Sequence, residues 1–285
     1  MKKYRLSIGS GITVAVCFLV YIFLWLVKGQ PMFMIIDNKL KYTYKTGVEW
    51  FDDENYDQKD IENFSRMEWI SDFHGTFRHT DNLNVVKQMK NLKKIGVSVY
   101  APNKIVDWSG IPEGNMELMF ISGGELESFN SFPKLNSLKY LTIEHGVKGA
   151  RLDMSDIDKF PSLENLELDN YAVYNCENIR KLKNLKSLSM SNNAMDILPY
   201  LPTDALTQLV IASVDRTEMD YTNLLRLTNL EELYLARIHI EDIESLIELE
   251  NLKLVTVYDM YSNSDLEKLR NSGIEVSVMK ENISE

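Results

Sequence analysis

The sequence predicts an α/β solenoid, with a long parallel sheet of short strands on the concave side, 3₁₀ turns or short helices on the convex side, and a transmembrane helix at the N-terminus. Three observations predict it. An apolar motif of the form L-x-x-L-x-L recurs with its first apolar residue at 92, 116, 138, 163, 185, 206, 230 and 252. Between copies, apolar residues recur every three positions, as in Ile240, Ile243, Leu246, Leu249 and Leu252. Ahead of both, Leu6 to Val27 runs for 22 residues without a charge.

Taken from the N-terminus, that uncharged run is long enough to cross a bilayer, which needs roughly 20 residues in a helix. Tyr21 and Trp25 stand toward its end, where aromatic rings suit the interface. A cleavable signal peptide would carry a shorter apolar region ending in small residues. Here the run ends "FLWLVKGQP", so an uncleaved signal-anchor is expected over residues 6–27, making contact with the lipid bilayer. Lys2, Lys3 and Arg5 flank one side and Lys28, Lys39 and Lys41 the other, a nearly even count. A short basic tail ahead of an apolar run stays in the cytoplasm, which places the large domain outside: a single-pass protein of the cell membrane.

Charge narrows the partners. Residues 1–28 hold four cations and no acids, leaving 27 cations against 42 acids in residues 29–285, a formal −15. An acidic domain repels phosphate backbones, so no nucleic acid is expected as a partner. The two cysteines, Cys17 and Cys176, are too separated in context to form a disulfide, and no Cys/His set has zinc spacing.

Residues 29–66 form a juxtamembrane segment. Met32–Ile36 and Leu40–Tyr44 flank Asp37-Asn38, the pattern of a β-hairpin. The acidic, Asn-containing stretch 52–60 reads as a loop.

From about residue 67 to 285 the repeat takes over, with "MEWISDF" as a worn first strand. The steps between first apolar residues are 24, 22, 25, 22, 21, 24 and 22. In L-x-x-L-x-L the last two apolar residues alternate, so both point to one face of a strand. One unit cannot bury that face alone, but stacked units share a core. The spacing of three between strands suits a 3₁₀ turn with one buried edge. The last copy, "SGIEVSVMK", keeps only Val276 and Val278. About eight to nine repeats result.

On these residues the chain resembles the leucine-rich-repeat proteins. The stretch "LTNLEELYLARIHIEDIESLIELENL" is similar to the internalin-like class of bacterial surface proteins. The resemblance covers about residues 90–280 and implies a curved solenoid that binds ligands, usually proteins, on its concave sheet. That family carries an asparagine three residues past the third apolar position. Here those positions hold Tyr171, Asn193, Val214, Ile238 and Met260, so a continuous asparagine ladder is not expected.

Residues between the buried strand positions face the concave side. Two apolar and aromatic zones emerge from that parity: Leu118, Phe120 and Tyr140 in one, and Val210, Tyr234, Leu254 and Tyr258 in the other. Acidic Glu167 and Asp169 and the row Ser187, Ser189 and Ser191 lie between them, and Glu232 flanks the second zone. Aromatic residues on an exposed sheet are common anchors of protein recognition.

No catalytic, metal-binding or cofactor residues are expected. The chain has no G-x-S-x-G, phosphate-binding glycine loop or H-E-x-x-H. His74 and His79 in "HGTFRH" lack a third ligand. The two glycines in "ISGGELES" fit a tight bend after a strand. The expected function is a membrane-anchored extracytoplasmic module that binds a protein. A scaffold subunit of a membrane complex is the alternative, and an enzyme with its site in residues 29–90 is a third.

Overall fold

The computed structural model describes residues 32–36, 39–43, 47–55, 68, 70–100, 106–123, 126–144, 150–191, 194–258 and 261–280. Its strands, in chain order, are β1 (Met32–Ile36), β2 (Lys39–Thr43), β3 (Gly47–Asp52), β4 (Asp72–Phe77), β5 (Lys94–Val99), β6 (Leu118–Gly123) and β7 (Tyr140–Glu144). They continue as β8 (Arg151–Asp153), β9 (Asn165–Leu168), β10 (Ala172–Tyr174), β11 (Ser187–Ser191), β12 (Gln208–Glu218), β13 (Glu232–His239), β14 (Leu254–Tyr258) and β15 (Glu275–Met279). β1 and β2 pair antiparallel, and β8 and β10 form a small parallel pair. The other 11 strands form one parallel sheet in which spatial order follows sequence order.

That order is what stacked repeats must give, because each repeat returns the chain to the next rung. The register is carried by the apolar motif. Leu188 pairs with Leu209, Leu209 with Leu233 and Leu233 with Val255. Met190, Ile211, Leu235 and Val257 form the next column, and both columns are buried. A slip of one residue would expose a whole column, so burial fixes the register.

Strand entry repeats as well. The carbonyl of Lys186 accepts from the backbone N–H groups of Thr207 and Gln208, at 2.8 and 3.0 Å. Thr207 does the same for Glu231 and Glu232, and Glu231 for Lys253 and Leu254. Beyond the buried columns the chain turns through a left-handed residue in three repeats: Gly123 at φ 72, Asn170 at φ 64 and Arg237 at φ 57. Glycine and asparagine suit that region; arginine does not, and its backbone is held there by the fold.

The return arms are 3₁₀ turns, as the spacing of three requires. Thr80–Val86, Ala194–Tyr200 and Ile243–Glu248 share this design. Among the described residues an α-helix, α1 (Asn263–Asn271), forms the last convex element. Ser262 caps it by accepting from the Asp265 N–H, while Leu266 and Leu269 are buried.

Asparagines do stitch the repeats, at a different position from the family's. Each stands just before a first leucine. The side-chain amides of Asn91, Asn184, Asn229 and Asn251 donate to the carbonyls of Glu68, Pro161, Asp204 and Thr228, at 2.8–3.0 Å. At the family's position Tyr171 and Ile238 are buried among the core residues, while Asn193 and Met260 lie outside the described residues. Tyr261 supplies a polar link between the last repeats: its hydroxyl accepts from the Ile240 N–H and donates to the Ile238 carbonyl, both at 2.9 Å.

The sheet differs from expectation at both ends. It starts at β3, within the segment expected to precede the repeats and upstream of Met67. β3 has no leucine motif; it joins because Phe51 packs on Phe73 and Phe77, with ring centroids 5.6 and 5.5 Å apart, and closes the core with aromatic area. At the other end Val278 is 41% exposed, since no further strand lies beside it among the described residues, while Val276 packs against the core. Among the described residues no helix is long and apolar enough to cross a membrane, and the uncharged run 6–27 lies outside them.

Candidate binding surface

In each strand the residues that alternate with the buried columns line the concave face. The register then sets who meets whom across it. In the first zone Leu118 pairs with Tyr140, and Phe120 with Thr142. Tyr140 is 46% exposed, and Leu118 and Phe120 are half-buried. Upstream, His74 lies over Gly96: a Cβ on Gly96 would stand 2.3 Å from the imidazole Nδ1. Gly96 pairs with Phe120, so His74 extends this zone by two strands.

In the second zone Val210 pairs with Tyr234, and Glu232 with Leu254. Tyr234 and Tyr258 sit diagonally on adjacent strands, with ring centroids 6.4 Å apart and planes at 90°. Edge-to-face contact of this kind is favoured by the ring quadrupoles. Tyr258 pairs with Met279, and the Tyr234 hydroxyl donates to the Met279 sulfur at 3.3 Å. Burial, then the bond to Tyr258, pushes the Tyr234 phenol up to about 12. Met279 is 43% exposed. The leucine motif does not mark Met279 and Glu275 as concave residues, because it is worn in β15. The signal that does is the spacing: Glu275 and Met279 follow Leu254 and Tyr258 by one 21-residue step.

Between the zones the surface is polar and tied together. Thr142 donates to Glu167 at 3.3 Å. Ser191 donates to Asp169 and accepts from the Asn170 N–H at 2.9 Å. Ser187 donates to Gln208 at 2.7 Å, and Gln208 donates to Glu232 at 2.9 Å. Two of the three serines therefore hold neighbouring strands rather than leaving an inert row. Ala236, at a concave position, is itself buried.

Beside the concave face, just before each strand, runs a row of alternating charge: Lys93, Glu117, Lys139, Glu164, Lys186, Thr207, Glu231 and Lys253. Lys186 reaches Glu164 at 2.6 Å and Lys253 reaches Glu231 at 2.7 Å; Lys139 and Lys93 pair more loosely with Glu164 and Glu117, at 3.8 and 4.0 Å. The Lys186 ammonium holds the Glu164 carboxyl below the usual range. Each glutamate of the row has a lysine partner, and four lysines against three glutamates leave it close to neutral.

The arrangement offers a broad face. The depression at Thr207, Gln208, Glu231 and Glu232 is about 160 Å³ and open, smaller than ligand pockets of roughly 300–1,000 Å³. Among the described residues no group of three His, Cys, Asp or Glu could hold a metal ion. His74 lies on the concave face, while the His79 backbone N–H donates to Asp53 at 2.9 Å. Burial pushes the Cys176 thiol up, which makes it a poor nucleophile.

No protein-family model and no curated protein matches the sequence. Solved structures similar to the chain are internalins and leucine-rich-repeat ectodomains. An internalin from Listeria monocytogenes is 14% identical, with 80% of this chain and 71% of that one covered and a TM-score of 0.45. A second Listeria monocytogenes internalin is 16% identical, covering 79% and 84%, with a TM-score of 0.41. The leucine-rich-repeat ectodomain of a plant membrane receptor kinase from Arabidopsis thaliana is 13% identical, covering 81% of this chain and 28% of that one, with a TM-score of 0.43. The leucine-rich-repeat assignment itself rests on the in-register apolar columns of this chain.

Proposed function

We propose that this protein is a membrane-anchored, extracytoplasmic binding module that takes a protein ligand on the concave face of its solenoid. The observation that carries this reading is the pair of apolar-aromatic zones on a wide sheet, with Tyr140 and Met279 each more than two-fifths exposed. A tyrosine on a rigid element loses little conformational freedom on binding, and a methionine adapts its shape to the partner, which suits both to an anchoring surface. The uncharged run 6–27 supports the anchor, and the basic tail ahead of it supports an outward domain.

Site-specific photo-crosslinking in intact cells tests the reading. A photoreactive residue at Tyr140 or Tyr258 should give a discrete protein adduct, and one at convex, 51%-exposed Ile247 should not. An identical adduct from Ile247, or none from either concave position, would overturn it. A reporter fused to the C-terminus tests the topology: activity confined to the cytoplasm would refute an outward domain.

A further inference from the structure

From β6 to β15 the concave face carries charge of one sign. From Leu118 to Met279 the concave strand positions include Glu144, Glu167, Asp169, Glu232 and Glu275, and no lysine or arginine. The chain has 31 basic residues, so their absence from this face is not for want of cations. Lys94 lies further upstream and faces Asp72 at 3.8 Å. Arg237 stands one residue beyond the concave positions, at the left-handed turn of β13. Beside these strands, from Glu117 to Lys253, the flanking row holds three lysines and three glutamates, so it leaves the net charge of this part of the face unchanged.

Within this acidic face the second zone presents two phenol rings at right angles, with a methionine sulfur beside them. Ring faces attract ammonium and guanidinium groups, and the attraction strengthens where water is partly excluded. Leu254 and Val210 add half-buried apolar area around the rings. An acidic field over a wide sheet also raises the encounter rate with cations.

We propose that the ligand segment held on this face is a cationic linear stretch of another protein, with a lysine or arginine at the Tyr234–Tyr258 pair and apolar neighbours on Leu254 and Met279. The proposal rests on the concave-face reading above. It is tested by panning the full chain, held in lipid nanodiscs, against a displayed library of short linear peptides. Enriched peptides should be net basic, and a synthesised member should bind more weakly as salt is raised. Tyr234→Ala with Tyr258→Ala should weaken it roughly thirtyfold, the loss expected of a truncated anchor. Glu167→Lys with Glu232→Lys should weaken it about tenfold or more; both glutamates are exposed, so the fold is not at risk. Neutral or acidic peptides that still depend on the two tyrosines would overturn the cationic ligand while leaving capture on this face intact. Peptides indifferent to both double variants, or no enrichment at all, would overturn the concave-face reading and this proposal together.

Discussion

The Tyr234 hydroxyl bridges from β13 to the Met279 sulfur of β15, passing over β14, at 3.3 Å. Tyr258, on β14, meets Tyr234 edge-on. The three side chains therefore act as one unit over the last three strands. Tyr258→Phe removes the hydroxyl that, after burial, helps hold the Tyr234 phenol neutral. Alkaline absorbance titration should then show Tyr234 ionising below about 12, shifted toward its ordinary 10.0. A Tyr234 titration unchanged by the substitution would contradict the coupling.

Tyr261 is the polar link between the last repeats. Tyr261→Phe leaves the Ile240 N–H and the Ile238 carbonyl without this partner, at a cost of about 1–3 kcal/mol. Equilibrium urea unfolding measures it. Burial also pushes this phenol up to about 12 from 10.0. A raised folded-state value means its contribution is complete below pH 10 and lost as pH rises toward 12. The parent should lose stability through that window more steeply than the phenylalanine variant.

Two glycines on successive strands should respond differently to alanine. Gly123 has φ 72, and a Cβ there would lie 2.4 Å from the Val99 carbonyl oxygen, so Gly123→Ala should cost about 1–3 kcal/mol. At Gly96 the obstacle is the exposed His74 ring, which can swing away, so Gly96→Ala should cost less than about 1 kcal/mol. Equal losses in thermal unfolding would contradict the difference.

Glu164 sits between Lys139 and Lys186, and all three are solvent-accessible. Glu164→Gln should therefore cost under about 1 kcal/mol, and less at high salt. A depressed carboxyl stabilises the fold above its unfolded value and stops doing so as pH falls through its folded one. The parent's advantage should vanish as the solution is acidified below the ordinary 4.5. An advantage that persists in acid would rule out the ionic origin.

Much of this was legible in the sequence because stacked repeats write their geometry as a period. The period alone places Leu188, Leu209 and Leu233 in one buried column, and parity then puts Tyr140 and Tyr234 on the opposite face. The ends are harder to read. Phe51 closes the core through ring packing rather than leucine spacing, so β3 carries no periodic mark. Met279 joins Tyr234 through a worn repeat. The amides of Asn229 and Asn251 satisfy carbonyls one repeat back, a pairing that only the folded register reveals.

The alternating row from Lys93 to Lys186 has a consequence for how such a chain can change length. Remove a single repeat, the one that brings Glu164, and Lys139 comes to face Lys186, cation against cation. Remove two neighbouring repeats and every cation again faces an anion. The ladder thus carries a parity, and over that stretch the molecule is built to shorten or grow by pairs of rungs rather than one at a time.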